Sequence, residues 1–256
     1  MTGPTSVLSV PVGRDVVARV AARGGRVQAE MGGQNASIVL ADADFGRAAT
    51  AIAYAAMGYA GQKCTATSRI LVEAAAYEEF RAALADAVGA LGVVGPTDDK
   101  TLVGPVISKQ ALGSALAAIG EAGGRVLAGG AAIDEPGYYL APTLVELGQP
   151  AGPLATEEVF APVAALLRVP SPEAAVQIAN GVRYGLVASV FTKDLSRALT
   201  LTDQLDAGMV RVNAPTSGVD FQAPFGGAKE SSYGPREQGL AARDFYTETR
   251  TVTIVP

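Results

Sequence analysis

Apolar runs and amphipathic runs alternate along most of the chain, and Gly, Pro or Asp marks each change of period. The stretch GRVQAEMGGQNASIVL (25–40) predicts two short extended runs around Gly32 and Gly33. A helix should follow, capped by Asp42 or Asp44, with Ala48, Ile52, Ala55 and Ala56 along it. SRILV (68–72) reads as a strand, and the stretch at 76–91 places Phe80, Leu84, Val88 and Leu91 on one helical face. After a Gly/Pro/Asp-rich loop at 95–108 the rhythm repeats: a helix over 109–122 closed by Gly123 and Gly124, an extended run at 125–130, and a continuous apolar strand at 162–169. A helix then starts with Ser171 as N-cap and Pro172 at its first position and ends before Gly181. LVASVFT, a helix from Asp194, and MVRVN continue the alternation. Apolar strands separated by amphipathic helices predict an α/β fold: an open, mostly parallel sheet with helices on both faces. Residues 214–235 show no clear period and read as a long loop, and TETRTVTIVP (247–256) alternates like a strand that pairs elsewhere or with a neighbouring subunit.

Composition narrows the chemistry. The 256 residues include one Cys and no His, which excludes an internal disulfide, Cys/His zinc sites, the Ser-His-Asp triad and a Cys-His pair. No metal site is expected. A net charge of −5 without a basic cluster argues against nucleic acid and anionic membranes as partners and points to a small molecule. The first residues lack signal-peptide character and no apolar run is long enough to span a bilayer, so a soluble cytoplasmic protein is expected. No fixed-period repeat or low-complexity linker is present.

The single thiol, Cys64, sits in GYAGQKCTATSRI (58–70). A lone Cys is often a small buried hydrophobe. Its flanks, Gly61, Gln62, Lys63, Thr65, Thr67 and Ser68, instead form a polar helix-to-strand junction, and such junctions lie at sheet edges, where α/β proteins place their sites.

GQKCTATSRI resembles the nucleophile segment of the aldehyde dehydrogenase superfamily, and EMGGQN (30–35) resembles its general-base segment, usually E-L-G-G-K-N. The two matching positions are 34 residues apart, as in the family. TEEVFAPV, YGLVASVFTKD, VNAPT and PFGGAKESSYGPREQG are similar to four further motifs, in the family's order. The resemblance covers the chain from about Val12 onward and corresponds to the C-terminal, catalytic half of the family. Details such as Ser232, GVDFQAPFGG and YGPREQG are most like the branch that oxidises α-ketoglutarate semialdehyde.

The resemblance implies that Cys64 attacks an aldehyde carbonyl, that the adduct loses hydride to NAD or NADP, and that Glu30 activates the water that hydrolyses the resulting thioester. It implies Glu158 as the carboxylate on the nicotinamide ribose and Phe160 as the aromatic group beside the nicotinamide. A free thiol is already a few per cent thiolate near neutrality, so no imidazole is required. The resemblance also divides the chain into a remnant of the nucleotide-binding domain (1–30), a catalytic α/β domain (31–235), and a C-terminal helix with an oligomerisation-type strand (236–256). A homo-oligomer is expected.

Most of the family's N-terminal half, with its cofactor domain and an oxyanion-hole asparagine, has no counterpart here. The segment expected as T-G-S before Val12-Gly13 reads LSVPVG. Ala161 replaces a usual Gly, Val187 a small residue and Ser232 a common Gly; the first is expected to crowd the turn at Phe160. Three readings therefore stand: an NAD(P)-dependent aldehyde dehydrogenase, with a separate subunit supplying the cofactor domain; a redox-inactive relative using Cys64 for thioester hydrolysis, acyl transfer or carbonyl addition; and a non-catalytic binding protein.

Overall fold

A computed structural model describes residues 5–7, 9–93, 95 and 97–256. Residues 1–4, Leu8 of the LSVPVG segment and Pro96 of the predicted 95–108 loop lie outside the described residues. In chain order the elements are β1 (Thr5–Val7), α1 (Val10–Ala21), β2 (Gln28–Glu30), β3 (Asn35–Val39), α2 (Phe45–Met57), β4 (Thr67–Glu73), α3 (Tyr77–Gly89), α4 (Lys109–Glu121), β5 (Arg125–Ala128), β6 (Thr143–Leu147) and α5 (Pro153–Thr156). They continue with β7 (Val163–Val169), α6 (Pro172–Asn180), β8 (Tyr184–Gly185), β9 (Val187–Phe191), α7 (Leu195–Gln204), β10 (Met209–Val212), β11 (Ala228–Lys229), β12 (Ser232–Tyr233) and α8 (Gly239–Tyr246).

Seven strands form one sheet in the order β10-β9-β3-β4-β7-β6-β5, parallel throughout except for the antiparallel β5/β6 edge. β3 and β9 are buried along their whole length, as expected of strands covered on both sides. Helices α2 and α3 pack together over β4, β6 and β7, while α6 and α7 pack over β3, β4, β9 and β10. The α2 positions expected from the sequence, Ala48, Ile52, Ala55 and Ala56, are buried, as are Phe80, Leu84 and Val88 of α3; Leu91 is only half-buried. Alanine on α2 lets the helix lie close to α3, where Phe45 and Phe80 meet edge to face at 5.9 Å.

Of the two candidate caps for α2, Asp44 accepts from the Arg47 amide at 3.1 Å. Asp42 instead accepts from Thr192 Oγ1 and from the Lys193 and Asp194 amides, joining the ends of β3 and β9. Strand β6 was not expected from the sequence. Its half-buried Glu146 breaks the apolar run, and it is accommodated by Arg125 at 2.7 Å and the Tyr77 hydroxyl at 2.7 Å.

Arg69, on β4, is 2 % exposed and meets no carboxylate among the described residues. Its guanidinium donates to the carbonyls of Gln34, Ile178 and Ala179, tying the end of α6 to the loop between β2 and β3. Burial lowers its pKa to about 10, so it stays charged at neutral pH.

A second, three-stranded sheet, β1-β2-β12, joins the first thirty residues to the predicted loop region, with Ser232 paired opposite Glu30. That region, 214–235, is mostly irregular but contributes the short strands β11 and β12. The tail 247–256 has no regular secondary structure and is exposed.

Candidate active site

The nucleophile segment follows α2 through a tight turn at Gly58–Gly61 in which Tyr59 (φ 57°), Ala60 (φ 55°) and Gly61 (φ 65°) are all left-handed. Two of these three carry side chains, a strained arrangement that persists only when packing enforces it. Gly61 is where glycine is required: a Cβ there would overlap the Ala161 backbone. The Ala66 amide then donates to the Lys63 carbonyl at 3.0 Å, closing a turn with Cys64 and Thr65 at its centre.

Asn35, at the start of β3, holds that turn. Its Nδ2 donates to the carbonyls of Cys64 and Ala66, both at 2.7 Å, while its Oδ1 accepts from the Val187 amide at 3.2 Å. A Cβ on Gly33 would lie 2.6 Å from the Cys64 carbonyl, so glycine permits this approach. The thiol is partly exposed, and the amides of Cys64 and Thr65 face it. Parallel pairing puts the amino ends of β3, β4, β7 and β9 side by side, so the site lies at the amino edge of the sheet.

Glu158 reaches the same place from the segment before β7. The Gly33 amide donates to its Oε1 at 3.0 Å, and its Oε2 lies over Gly32, where a Cβ would overlap it. Phe160 is 45 % exposed and left-handed (φ 55°), a conformation that leaves Ala161 out of the left-handed region. Across from Ala161 the Cβ-free position is Gly61, where a Cβ would overlap the Ala161 backbone.

Glu30 lies beneath, on β2, 2 % exposed. Ser232 Oγ accepts from the Gly227 amide at 2.5 Å and donates to Glu30 Oε2 at 2.6 Å. Glu30 Oε1 and Glu237 Oε1 are buried without a hydrogen-bond partner among the described residues. Burial, opposed by the Ser232 bond and reinforced by Glu237, raises the Glu30 pKa to about 7.

The Cys64 pKa is raised to about 11, first by burial and then by the Glu158 and Glu30 carboxylates, against the opposing effect of the two backbone amides. The resting thiol is thus protonated at neutral pH, with a thiolate fraction on the order of 10⁻⁴ rather than the few per cent expected from a free thiol. Burial also raises the Glu158 pKa, opposed by the Gly33 amide and Arg183.

Cys64, Lys63, Glu158 and Phe160 line a cleft of about 710 Å³ together with Met31, Gly32 and residues of the C-terminal loop such as Phe225. The structure brings Cys64, Glu158 and Phe160 to one wall system, with Glu30 behind it and within electrostatic reach of the thiol. Sequence reading missed Asn35 and Ser232 as supports for Cys64 and Glu30; Asn35 was visible only as the last letter of EMGGQN, and Ser232 only as a departure from Gly.

The profile described as Aldehyde dehydrogenase family matches residues 6–252. The α-ketoglutaric semialdehyde dehydrogenase of Bacillus subtilis (strain 168) is 41% identical over 252 residues, covering 96% of this chain and 52% of that protein. A betaine aldehyde dehydrogenase of Cereibacter sphaeroides is 40% identical over 249 residues, covering 96% of this chain and 51% of that protein. Among solved structures, a Mycobacterium tuberculosis aldehyde dehydrogenase complexed with NAD+ superposes with a TM-score of 0.91 at 32% identity, covering 95% of this chain and 51% of the other. The chain spans about half the length of the curated relatives it matches.

Proposed function

We propose that this chain, which belongs to the aldehyde dehydrogenase family, is the catalytic part of an NAD(P)-dependent enzyme that oxidises carboxylate-bearing semialdehydes. The observation that carries the reading is the convergence of one thiol and one carboxylate, Cys64 and Glu158, on a single cleft, with a near-neutral carboxylate, Glu30, behind the thiol.

Cys64 Sγ adds to the aldehyde carbon to form a thiohemiacetal, and the Cys64 and Thr65 amides that face the sulfur favour the thiolate that attacks. Glu30, with a pKa near 7, takes the proton of the thiol and later of the hydrolytic water. Water then attacks the thioester carbon, the carbon–sulfur bond breaks, and the acid leaves with Cys64 restored. Bound NAD or NADP would accept the hydride between these two stages. The residues present fit the nicotinamide end of that group: Glu158 Oε2 has no hydrogen-bond partner among the described residues and can accept from a ribose hydroxyl, and Phe160 offers an exposed ring beside it. The adenine end would be held by a cofactor domain outside the matched half, in a longer chain or a second subunit.

Residues 1–30, 31–235 and 236–256 are read as a cofactor-domain remnant, the catalytic domain, and a helix with an oligomerisation strand. The exposed, alternating tail supports a homo-oligomer, and a cytoplasmic location follows for an enzyme that needs a free thiol. A redox-free thioester hydrolase, acyl transferase or carbonyl-binding protein would use Cys64 and Glu30 equally well. Glu158, held by Gly33 with one oxygen left over, favours the nucleotide-using reading.

Calorimetric titration of the chain with NAD+ and then NADP+ tests this. Micromolar binding that is lost in Glu158→Ala is the expected result. No binding at millimolar nucleotide, with Cys64-dependent hydrolysis of an activated ester intact, would move the assignment to the redox-free reading.

A further inference from the structure

The strained turn before Cys64 is held by a side-chain contact that the chemistry above does not use. Gln62 leaves that turn: its amide donates to the Tyr59 carbonyl at 3.1 Å, closing the left-handed pair Tyr59 and Ala60, and two residues later the chain reaches Cys64. Its side-chain Oε1 accepts from the Ile107 amide at 2.8 Å, 45 residues away in the chain. Ile107 is 83 % exposed, so it meets Gln62 through its backbone rather than by packing its side chain.

Ile107 offers a fixed point. Val103 and Val106, just before it, are buried in the main core; the amides of Leu102 and Val103 donate to the Gly92 carbonyl at 3.1 Å, and that of Val106 to the Tyr138 carbonyl at 2.9 Å. Ser108, just after it, caps α4 by accepting from the Ala111 amide at 3.1 Å. On the far side of the sulfur, Asn35 holds the carbonyls of Cys64 and Ala66. On the near side, over residues 58–63, Gln62 carries the one side-chain hydrogen bond among the described residues. Left-handed residues that carry side chains keep that conformation only where their surroundings over-determine it.

Resting on the function proposed above, we propose that Gln62 is a positioning residue for the nucleophile: its side chain ties the strained turn to the 102–108 segment and so holds the sulfur on its line of attack at the carbonyl in the cleft. Oriented chemistry suffers most from a small displacement, since a shift of about 1 Å can cost about 10²-fold in rate. A carboxamide suits the task. It accepts the Ile107 amide without bringing a third negative charge to a thiol already faced by Glu158 and Glu30.

The test compares two reactions of Cys64. The ester p-nitrophenyl acetate acylates it: the sulfur–carbon bond forms, p-nitrophenolate leaves, the thiol proton passes to Glu30 or water, and nothing is oxidised. Iodoacetamide alkylates it with loss of iodide and needs no bound pose. Both reactions draw on the same thiolate, so the ratio of their rate constants at one pH cancels any change in thiolate population and reports orientation. Gln62→Leu and Gln62→Asn, which lose the acceptor or its reach, should lower that ratio about tenfold, whereas Gln62→Glu, which keeps the acceptor, should stay within about twofold of the unaltered chain. A ratio unchanged in Gln62→Leu or Gln62→Asn, or lowered equally in Gln62→Glu, would overturn the assignment; should one of the first two fail to fold, the other decides. If the unaltered chain is alkylated but not acylated, the thiol-attack reading fails instead. Gln62 is then decided by amide hydrogen exchange. The Ala66 amide, which closes the Cys64 turn, should exchange about tenfold faster in Gln62→Asn relative to the β4 amides, and equal relative exchange refutes the assignment.

Discussion

Around Cys64, Asn35 takes two of the turn's carbonyls and spends its own oxygen on a third strand, so the local polar groups are matched. Around Glu30, one carboxylate oxygen is bonded to Ser232, and the other is buried with no partner among the described residues, as is Glu237 Oε1. Cys64 is fixed through its backbone, leaving the sulfur open to the cleft. Glu30 is fixed by its side chain in a dry site where ionisation is resisted. Position and proton affinity are thus set by different means: satisfied hydrogen bonds hold the first group still, and an unsatisfied environment moves the second group's pKa to where it can exchange a proton near neutrality.

The comparison can be broken most severely at the sulfur. Cys64→Ser should lose about 10³-fold or more of any acyl-transfer or ester-hydrolysis activity while leaving thermal stability almost unchanged, because the backbone clamp is untouched. Unchanged activity would remove Cys64 from the chemistry. Glu30→Gln should slow deacylation by about 10²-fold or more, yet speed alkylation of Cys64 at mildly alkaline pH, since removing that negative charge lowers the thiol pKa. Slower alkylation would place the activating base at Glu30 even in the resting state.

Asn35→Ala should destabilise the chain by about 3 kcal/mol, because it leaves two carbonyls of the turn and the Val187 amide of β9 without their partner; denaturant unfolding measures this. The pH dependence of stability isolates the other half of the comparison. Glu30 binds its proton more tightly in the folded state, about 7 against an ordinary 4.5, so its contribution to stability is fully present below the lower value and is lost as pH rises through the higher. The loss amounts to about 3 kcal/mol and should vanish in Glu30→Gln. The smallest effect is expected from Ser232→Gly. Removing a bond that favours the carboxylate should raise the Glu30 pKa further in an NMR titration, with little change elsewhere.

The strands and helices that build the site were legible where period and punctuation agreed. β3, β4, β7 and β9, the Ser171 and Asp194 caps, and the helix-to-strand junction at Cys64 all followed from local pattern. β6 was hidden because Glu146 sits within it, held by Arg125 and Tyr77, residues that no local window includes. The convergence of Cys64, Glu30 and Glu158 was visible through motif resemblance and not through periodicity, since Gly33 meets a carboxylate 125 residues away. The raised thiol pKa was invisible for the same reason: free-thiol behaviour describes Cys64 in isolation, whereas burial and two distant carboxylates set its state. Likewise, the left-handed conformation of Phe160 is a fact of backbone geometry that sequence does not display.

Glu30 also has a meaning for descent. A carboxylate buried with an unpartnered oxygen works against the fold at neutral pH, and Gln or a similar neutral residue would relieve it by a single codon change. A lineage freed from catalysis would drift toward that more stable protein. Under the proposed function, keeping Glu30 carries a selective cost at a strand position where stability and chemistry ask for different residues.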